Sequence, residues 1–167
     1  VEFELKATPL HGLTVNANGS YNDAHYQSFT RAPCSAEQSA LGKTVCDLSG
    51  QVLNGAPKWT FNLGGQYELG QIGKVRPYAA ANYGWRSGSY GDLSNSRYSW
   101  IPSYGLLNLA TGWRVKQGEN QWELSLWAKN ALDKHYYLAT STASFGNAYW
   151  GSAGQPRTVG ATLRYDF

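Results

Sequence analysis

The chain has 167 residues, enough for one domain, a net charge of +3, and only 15% charged residues against 14% aromatic ones. Scattered Lys and Arg with so small a charge exclude a basic groove for nucleic acid, and no run approaches the roughly 20 apolar residues of a membrane helix. Seven Trp, 12 Tyr and 19 Gly, with Asn, Ser, Thr and Gln in place of charge, suit a wall that is wet on one side and oily on the other.

Alternation begins at once. Val1, Phe3, Leu5 and Ala7 oppose Glu2, Glu4 and Lys6, and a β-strand sends successive side chains to opposite faces. Pro9-Leu10-His11-Gly12 reads as a short turn. The alternation resumes over 13–29, with Leu13, Val15, Ala17 and Tyr21 against Thr14, Asn16, Asn18 and Ser20. Residues 31–56 read as a long polar loop. It holds the only two cysteines, Cys34 and Cys46. A close pair in such a loop suggests a disulfide and an oxidising compartment. A bridge of that span would contribute roughly 3 kcal/mol by loop closure. Two free thiols are the alternative; a zinc pair is disfavoured because His11 and His25 lack ligand-like spacing.

Pro57 opens a third strand, with Trp59, Phe61, Leu63, Tyr67 and Leu69 on one side and Lys58, Thr60, Asn62, Gln66 and Glu68 on the other. Gly70-Gln71-Ile72-Gly73 turns into a fourth, where Val75, Ala79, Ala81, Tyr83 and Trp85 oppose Arg76, Tyr78, Asn82 and Arg86. Pro77 is awkward inside a sheet and is expected at the rim, beside the turn. Residues 88–102 form a second polar, aromatic loop. A fifth strand carries Leu107, Leu109, Thr111, Trp113 and Val115, a turn follows at 117–120, and a sixth carries Trp122, Leu124, Leu126 and Ala128. Alternation weakens over 130–137, where a bulge is expected. Residues 139–155 are a third long loop. The last strand alternates Val159, Ala161, Leu163, Tyr165 and Phe167 with Thr158, Gly160, Thr162, Arg164 and Asp166.

Connections therefore run short, long, short, long, short, long, and no stretch carries a helical period. The expected fold is all-β: an antiparallel transmembrane β-barrel segment of about seven strands, with tight turns at one end and long loops at the other. Aromatic residues fall into two bands, Trp113, Trp122, Tyr165 and Phe167 near the tight turns and Trp59, Trp85, Tyr90, Tyr136 and Tyr137 near the long loops, as membrane interfaces require.

Three stretches carry a family resemblance. Asn130-Ala131-Leu132-Asp133-Lys134-His135-Tyr136 is similar to an Asn-Leu-Phe-Asp-x-x-Tyr signature, with Leu132 where Phe is usual. Gly154-Gln155-Pro156-Arg157 and the closing Leu163-Arg164-Tyr165-Asp166-Phe167 resemble a Gly-x-Pro-Arg motif and terminal aromatic. Asn54-Gly55-Ala56-Pro57-Lys58-Trp59 resembles the approach to an earlier strand. Together the chain resembles the C-terminal part of the β-barrel of a TonB-dependent outer-membrane receptor, over residues 1–167. That resemblance implies a barrel of about 22 strands with a plugged lumen, of which this chain holds neither the plug nor the segment that engages TonB. It implies uptake of a scarce nutrient such as an iron chelate, in the outer membrane of a Gram-negative bacterium. The partners implied are outer-membrane lipid, the remaining strands and plug of the receptor, TonB through the missing N-terminal part, and the barrel-assembly machinery. Val159, Leu163, Tyr165 and Phe167 would carry the assembly signal. The tight turns would be periplasmic, and the long loops, with Cys34 and Cys46, extracellular.

Seven strands leave two open edges, and unpaired backbone in lipid costs several kcal/mol per group, so the chain is expected to be completed by strands outside it. The rival readings are a small complete outer-membrane barrel with a structural or adhesive role, and a soluble ligand-binding β-barrel. The odd strand count opposes the first, and polar faces rich in Asn, Thr, Gly and Ser oppose the second. No enzyme is expected: phosphate-binding glycine loops and Gly-x-Ser-x-Gly are absent, and Glu2, Glu4, Glu68 and Glu123 fall on polar strand faces. No cofactor or metal is expected either. Tyr90, Arg97, Tyr98, Trp100, Tyr149 and Trp150, all in loops, are the candidate extracellular ligand contacts.

Overall fold

The computed structural model describes residues 1–142 and 148–167. Seven strands form one antiparallel sheet: β1 (Glu2–Leu10), β2 (Leu13–Tyr21), β3 (Trp59–Glu68), β4 (Val75–Arg86), β7 (Tyr104–Gln117), β8 (Asn120–Lys129) and β11 (Thr158–Asp166). They lie side by side in chain order, with β1 and β11 as the two edges. Two small hairpins sit outside the sheet, β5 (Ser89–Tyr90) with β6 (Trp100–Ile101), and β9 (Tyr137–Thr142) with β10 (Tyr149–Ala153). One short α-helix, α1 (Ala36–Ala40), and a 3-10 turn over Arg97–Ser99 complete the described elements.

The register matches like with like across every ladder. Leu5 opposes Ala17, Ala17 opposes Leu63, and Leu63 opposes Tyr83. Tyr83 faces Leu107, Trp113 faces Leu124, and Leu124 faces Leu163. On the other side Glu4 meets Asn18, Asn18 meets Asn62, and Asn82 meets Asn108. A slip of one residue would exchange the two faces, so the period-two pattern fixes the pairing. Leu109, Leu124, Leu126 and Leu163 are exposed; the apolar face is not folded into an interior, as a soluble barrel would require.

The aromatic bands are ladders of contacts. Near the tight turns the Trp122 and Tyr165 rings meet at a tilt, 4.3 Å apart, and Tyr165 stacks on Phe167 at 6.0 Å. Near the long loops Tyr21, Trp59, Phe61 and Trp85 form a chain with centroids 4.5, 5.8 and 5.7 Å apart.

Several boundaries differ from the sequence reading. β1 runs through Pro9 to Leu10, with an irregular register after Ala7, so the turn narrows to His11 and Gly12. β2 stops at Tyr21, and the next residues join the loop, where His25 bridges Val52. β7 begins earlier, at Tyr104, and its residues 104–115 pair with the whole length of β4. Pro77 stands where expected: its carbonyl accepts Leu69 N–H at 3.0 Å beside the β3–β4 turn. The bulge expected over 130–137 is instead a turn, with Asn130 and Asp133 at positive φ (47° and 53°). The third loop holds a hairpin, and its part over 143–147 lies outside the described residues.

On the polar face Tyr78 is buried. Its hydroxyl donates to Glu123 at 2.6 Å, and the Arg114 guanidinium lies 4.3 Å from its ring centre. Arg114 also pairs with Glu123 and Glu68, each at 3.1 Å. Gly112 makes this possible, since a Cβ there would come within 2.6 Å of the Tyr78 ring.

Candidate functional site

Most of the buried residues lie outside the sheet. Ala32, Cys46, Leu48 and Ile101 are buried, as are Ser35, Ser89, Asp92, Ser94, Ser96, Ser99 and Thr140. All belong to the three long connections, 22–58, 87–103 and 130–157, which share one end of the sheet. These connections pack on one another as a cap.

The first connection is braced by Cys34 and Cys46, which form a disulfide with Cα atoms 5.0 Å apart. Ala32 and Cys46 exchange two backbone hydrogen bonds of 2.9 and 3.1 Å beside it. Next to Cys34, Ser35 caps α1: its hydroxyl accepts Gln38 N–H, and Gln38 Oε1 accepts Ser35 N–H. This reciprocal cap stabilises a helix too short to form on its own propensity. It also aims Glu37 at the second connection.

There the Glu37 carboxylate accepts the Ser96 hydroxyl at 3.0 Å and the Arg97 N–H at 3.2 Å. Arg97 Nε lies 3.5 Å away. Burial pushes the Glu37 carboxyl up, but hydrogen bonds from its own backbone, Ser35, Ser96 and the Arg97 N–H outweigh it and hold the group below the usual range. Farther along the first connection, Val52 O accepts Asn95 Nδ2 at 2.8 Å, and Gly55 N–H donates to Tyr90 O at 2.7 Å.

The third connection docks through Thr140, whose hydroxyl donates to Ser99 O at 2.6 Å. Gly91 leaves room for it, because a Cβ there would collide with Thr140. Near the sheet, Lys58 and Asp23 form an ion pair of 3.2 Å, which lowers the Asp23 pKa and raises that of Lys58.

The six candidate ligand contacts fall into three places. Arg97, Tyr98 and Tyr149 come together: the Arg97 guanidinium lies 4.8 Å from the Tyr98 ring centre, and the Tyr98 and Tyr149 rings are 5.6 Å apart. The Tyr98 hydroxyl accepts Arg97 Nη2 at 2.6 Å, and this contact raises the Arg97 pKa. Tyr90 and Trp100 form a separate edge-on pair at 5.0 Å, with Trp100 close over Gly88. Trp150 is exposed and, being next to Tyr149 on a strand, points to the opposite side of the β9–β10 hairpin. The patch at Arg97, Tyr98 and Tyr149 thus offers a cation and two aromatic rings where two connections meet. The Ser35-x-x-Gln38 spacing signals the α1 cap in the sequence, but Glu37, Ser96 and Thr140 have no such signal.

Among the described residues no three His, Cys, Asp or Glu side chains are arranged to hold a metal ion. Among the same residues no helix is long and apolar enough to cross a membrane, which says nothing of strands. A sequence model described as "TonB dependent receptor-like, beta-barrel" matches residues 1–131. The chain belongs to this family. No curated protein matches it. Two solved structures share the fold of this receptor-barrel chain, both from Acinetobacter baumannii. They are BauA, the ferric preacinetobactin receptor (TM-score 0.72, 17% identity), and the siderophore receptor PiuA (TM-score 0.73, 20% identity). Each covers 99% of this chain, which spans only 21% of either neighbour. The open seven-stranded sheet is accordingly a partial TonB-receptor barrel.

Proposed function

We propose that residues 1–167 are the C-terminal portion of the barrel of an outer-membrane receptor that takes up a scarce nutrient, such as an iron chelate, with energy delivered through TonB. The observation that carries this reading is the match to the receptor-barrel family over residues 1–131. It is supported by a sheet with one continuous apolar face and two aromatic bands, and by two neighbours named as siderophore receptors.

In this reading the apolar face meets outer-membrane lipid and the polar face lines the lumen, where it meets the plug. Strands outside this chain satisfy the open edges of β1 and β11. The tight turns are periplasmic and the loop cap is extracellular. Val159, Leu163, Tyr165 and Phe167 share one side of the closing strand and present it to the assembly machinery. TonB engages a part of the receptor outside this chain, and the chain has no enzymatic role.

Arg97, Tyr98 and Tyr149 are the proposed contacts for the incoming ligand, with Tyr90, Trp100 and Trp150 as flanking surface. Cells relying on the complete receptor for iron would be grown on a panel of ferric chelates. Replacing Arg97, Tyr98 and Tyr149 together by Ala should abolish growth on the chelate that the parent receptor uses, while surface display stays unchanged. Undiminished uptake by this variant would overturn the assignment of these residues. A parent receptor that supports growth on none of the chelates would overturn iron uptake itself.

A further inference from the structure

The polar face carries a charge imbalance at the tight-turn end. Arg76 on β4 stands directly opposite Arg114 on β7, an arrangement that repels unless each charge is answered. Arg114 is answered by Glu68 and Glu123. Arg76 is not: its Nε donates to the neutral Gln71 at 3.2 Å. The ion pairs among the described residues engage neither Arg76, Lys74 nor Lys116. All three are exposed, and they line one depression of about 440 Å³ with Arg114. A second depression of about 460 Å³ shares Glu68, Gln71 and Arg76 with the first and continues to His11 and Gly12 at the β1–β2 turn. The two form a trough along the rim, running from the first tight turn past the second to β7.

We infer that this trough holds an acidic stretch of extended polypeptide, contributed by a part of the complete receptor outside this chain. The inference rests on the reading that the polar face is the lumen. Arg114 and Lys116 alternate with Trp113 and Val115, and Arg76, opposite Arg114, shares their face, so all three turn away from the lipid side, which rules out a lipid headgroup as occupant. A trough that crosses several strands with cations spaced along it fits a chain segment rather than one compact anion. Carboxylates on that segment would answer the three cations and relieve the Arg76–Arg114 repulsion.

The test uses the complete receptor in outer membranes, with a photo-crosslinking amino acid at Gln121, which lines the trough. The expected product is a crosslink within the same polypeptide, to a peptide bearing several Asp or Glu residues. Its yield should fall several-fold in Arg76→Glu, and also in Lys74→Gln/Lys116→Gln, which removes charge at exposed positions without touching Arg76. A crosslink to lipid, to a second protein or to a peptide without carboxylates would overturn the proposal, as would no crosslink or a yield indifferent to these substitutions. Membrane fractionation and the heat-shifted mobility of a folded barrel are scored on the same samples. Failure there would sink the outer-membrane reading itself rather than the occupant of the trough.

Discussion

The carboxylate of Asp133 accepts the backbone N–H of Arg157 at 2.9 Å, tying the turn after β8 to the first residue before β11. It is one of several bonds between two motifs 24 residues apart. Asn130 Nδ2 donates to Lys134 O and to Gln155 O, its Oδ1 accepts Lys134 N–H, and its own N–H donates to Asn108 Oδ1. Gly154 N–H donates to Tyr136 O, and the Tyr136 ring occupies the space a Cβ on Gly154 would need. Both motifs therefore form one clasp that sets the last strand against its neighbour.

Breaking that clasp should be costly. Asn130→Ala removes three part-buried side-chain hydrogen bonds, a loss of roughly 0.5–1.5 kcal/mol each. Gly154→Ala should fall in the same direction, since the Tyr136 ring must shift. In the complete receptor both variants should lower the temperature at which the folded band is lost on a detergent gel. Asp133→Asn, which keeps an oxygen facing the Arg157 N–H, should be milder than Asp133→Ala.

The wall was legible in the sequence and the clasp was not, for one physical reason. A strand repeats every two residues, so Val159, Leu163 and Leu124 announce their face locally. Asn130 reads as weakened alternation because its role is set by partners at Asn108 and Gln155. The cap is harder still. Glu37 meets Arg97 across 60 positions, with no periodicity to point there. Arg97, Tyr98, Tyr149 and Trp150 all stood out as loop residues, but only the fold separates Trp150 from the other three. Helix α1 has five residues, too few to show a period, and only its capping box marks it.

The two faces of the wall should respond oppositely to charge. Leu63 is exposed on the apolar face midway along β3. Leu63→Lys should destabilise the barrel by about 2–4 kcal/mol if that position lies near the bilayer midplane. Asn18→Lys, on the polar face between Glu4 and Asn62, should be nearly neutral. Unfolding in urea from lipid vesicles would measure both, and equal effects would contradict the assignment of the faces.

Reducing the Cys34–Cys46 bond should loosen the cap and spare the sheet. The bridge closes a loop of sequence separation 12, and its removal releases roughly 3 kcal/mol of constraint on the open state. Limited proteolysis should then nick residues 22–58 in the reductant-treated protein or in Cys34→Ser/Cys46→Ser. The sheet strands should stay protected. Because Ser35 and Glu37 follow Cys34 directly, amide exchange at Arg97 should also rise.

Glu37 makes the junction between the first and second connections sensitive to acid. Its folded-state pKa lies below the ordinary value of 4.5, so ionisation stabilises the folded cap. That stabilisation is full above the ordinary value and is lost as pH falls through the lowered one. Protonation removes acceptor capacity from Ser96 and the Arg97 N–H and cancels the charge facing the Arg97 guanidinium. Hydrogen exchange at residues 96–98, corrected for intrinsic pH dependence, should therefore accelerate in acid below the ordinary Glu range. Glu37→Gln should show faster exchange already at neutral pH and no acid step from this site. If the parent and the Gln variant follow the same acid profile, another carboxylate governs the junction. Asp47 of the first connection, whose pKa is also lowered through its bonds to Ser49, is then the next group to replace.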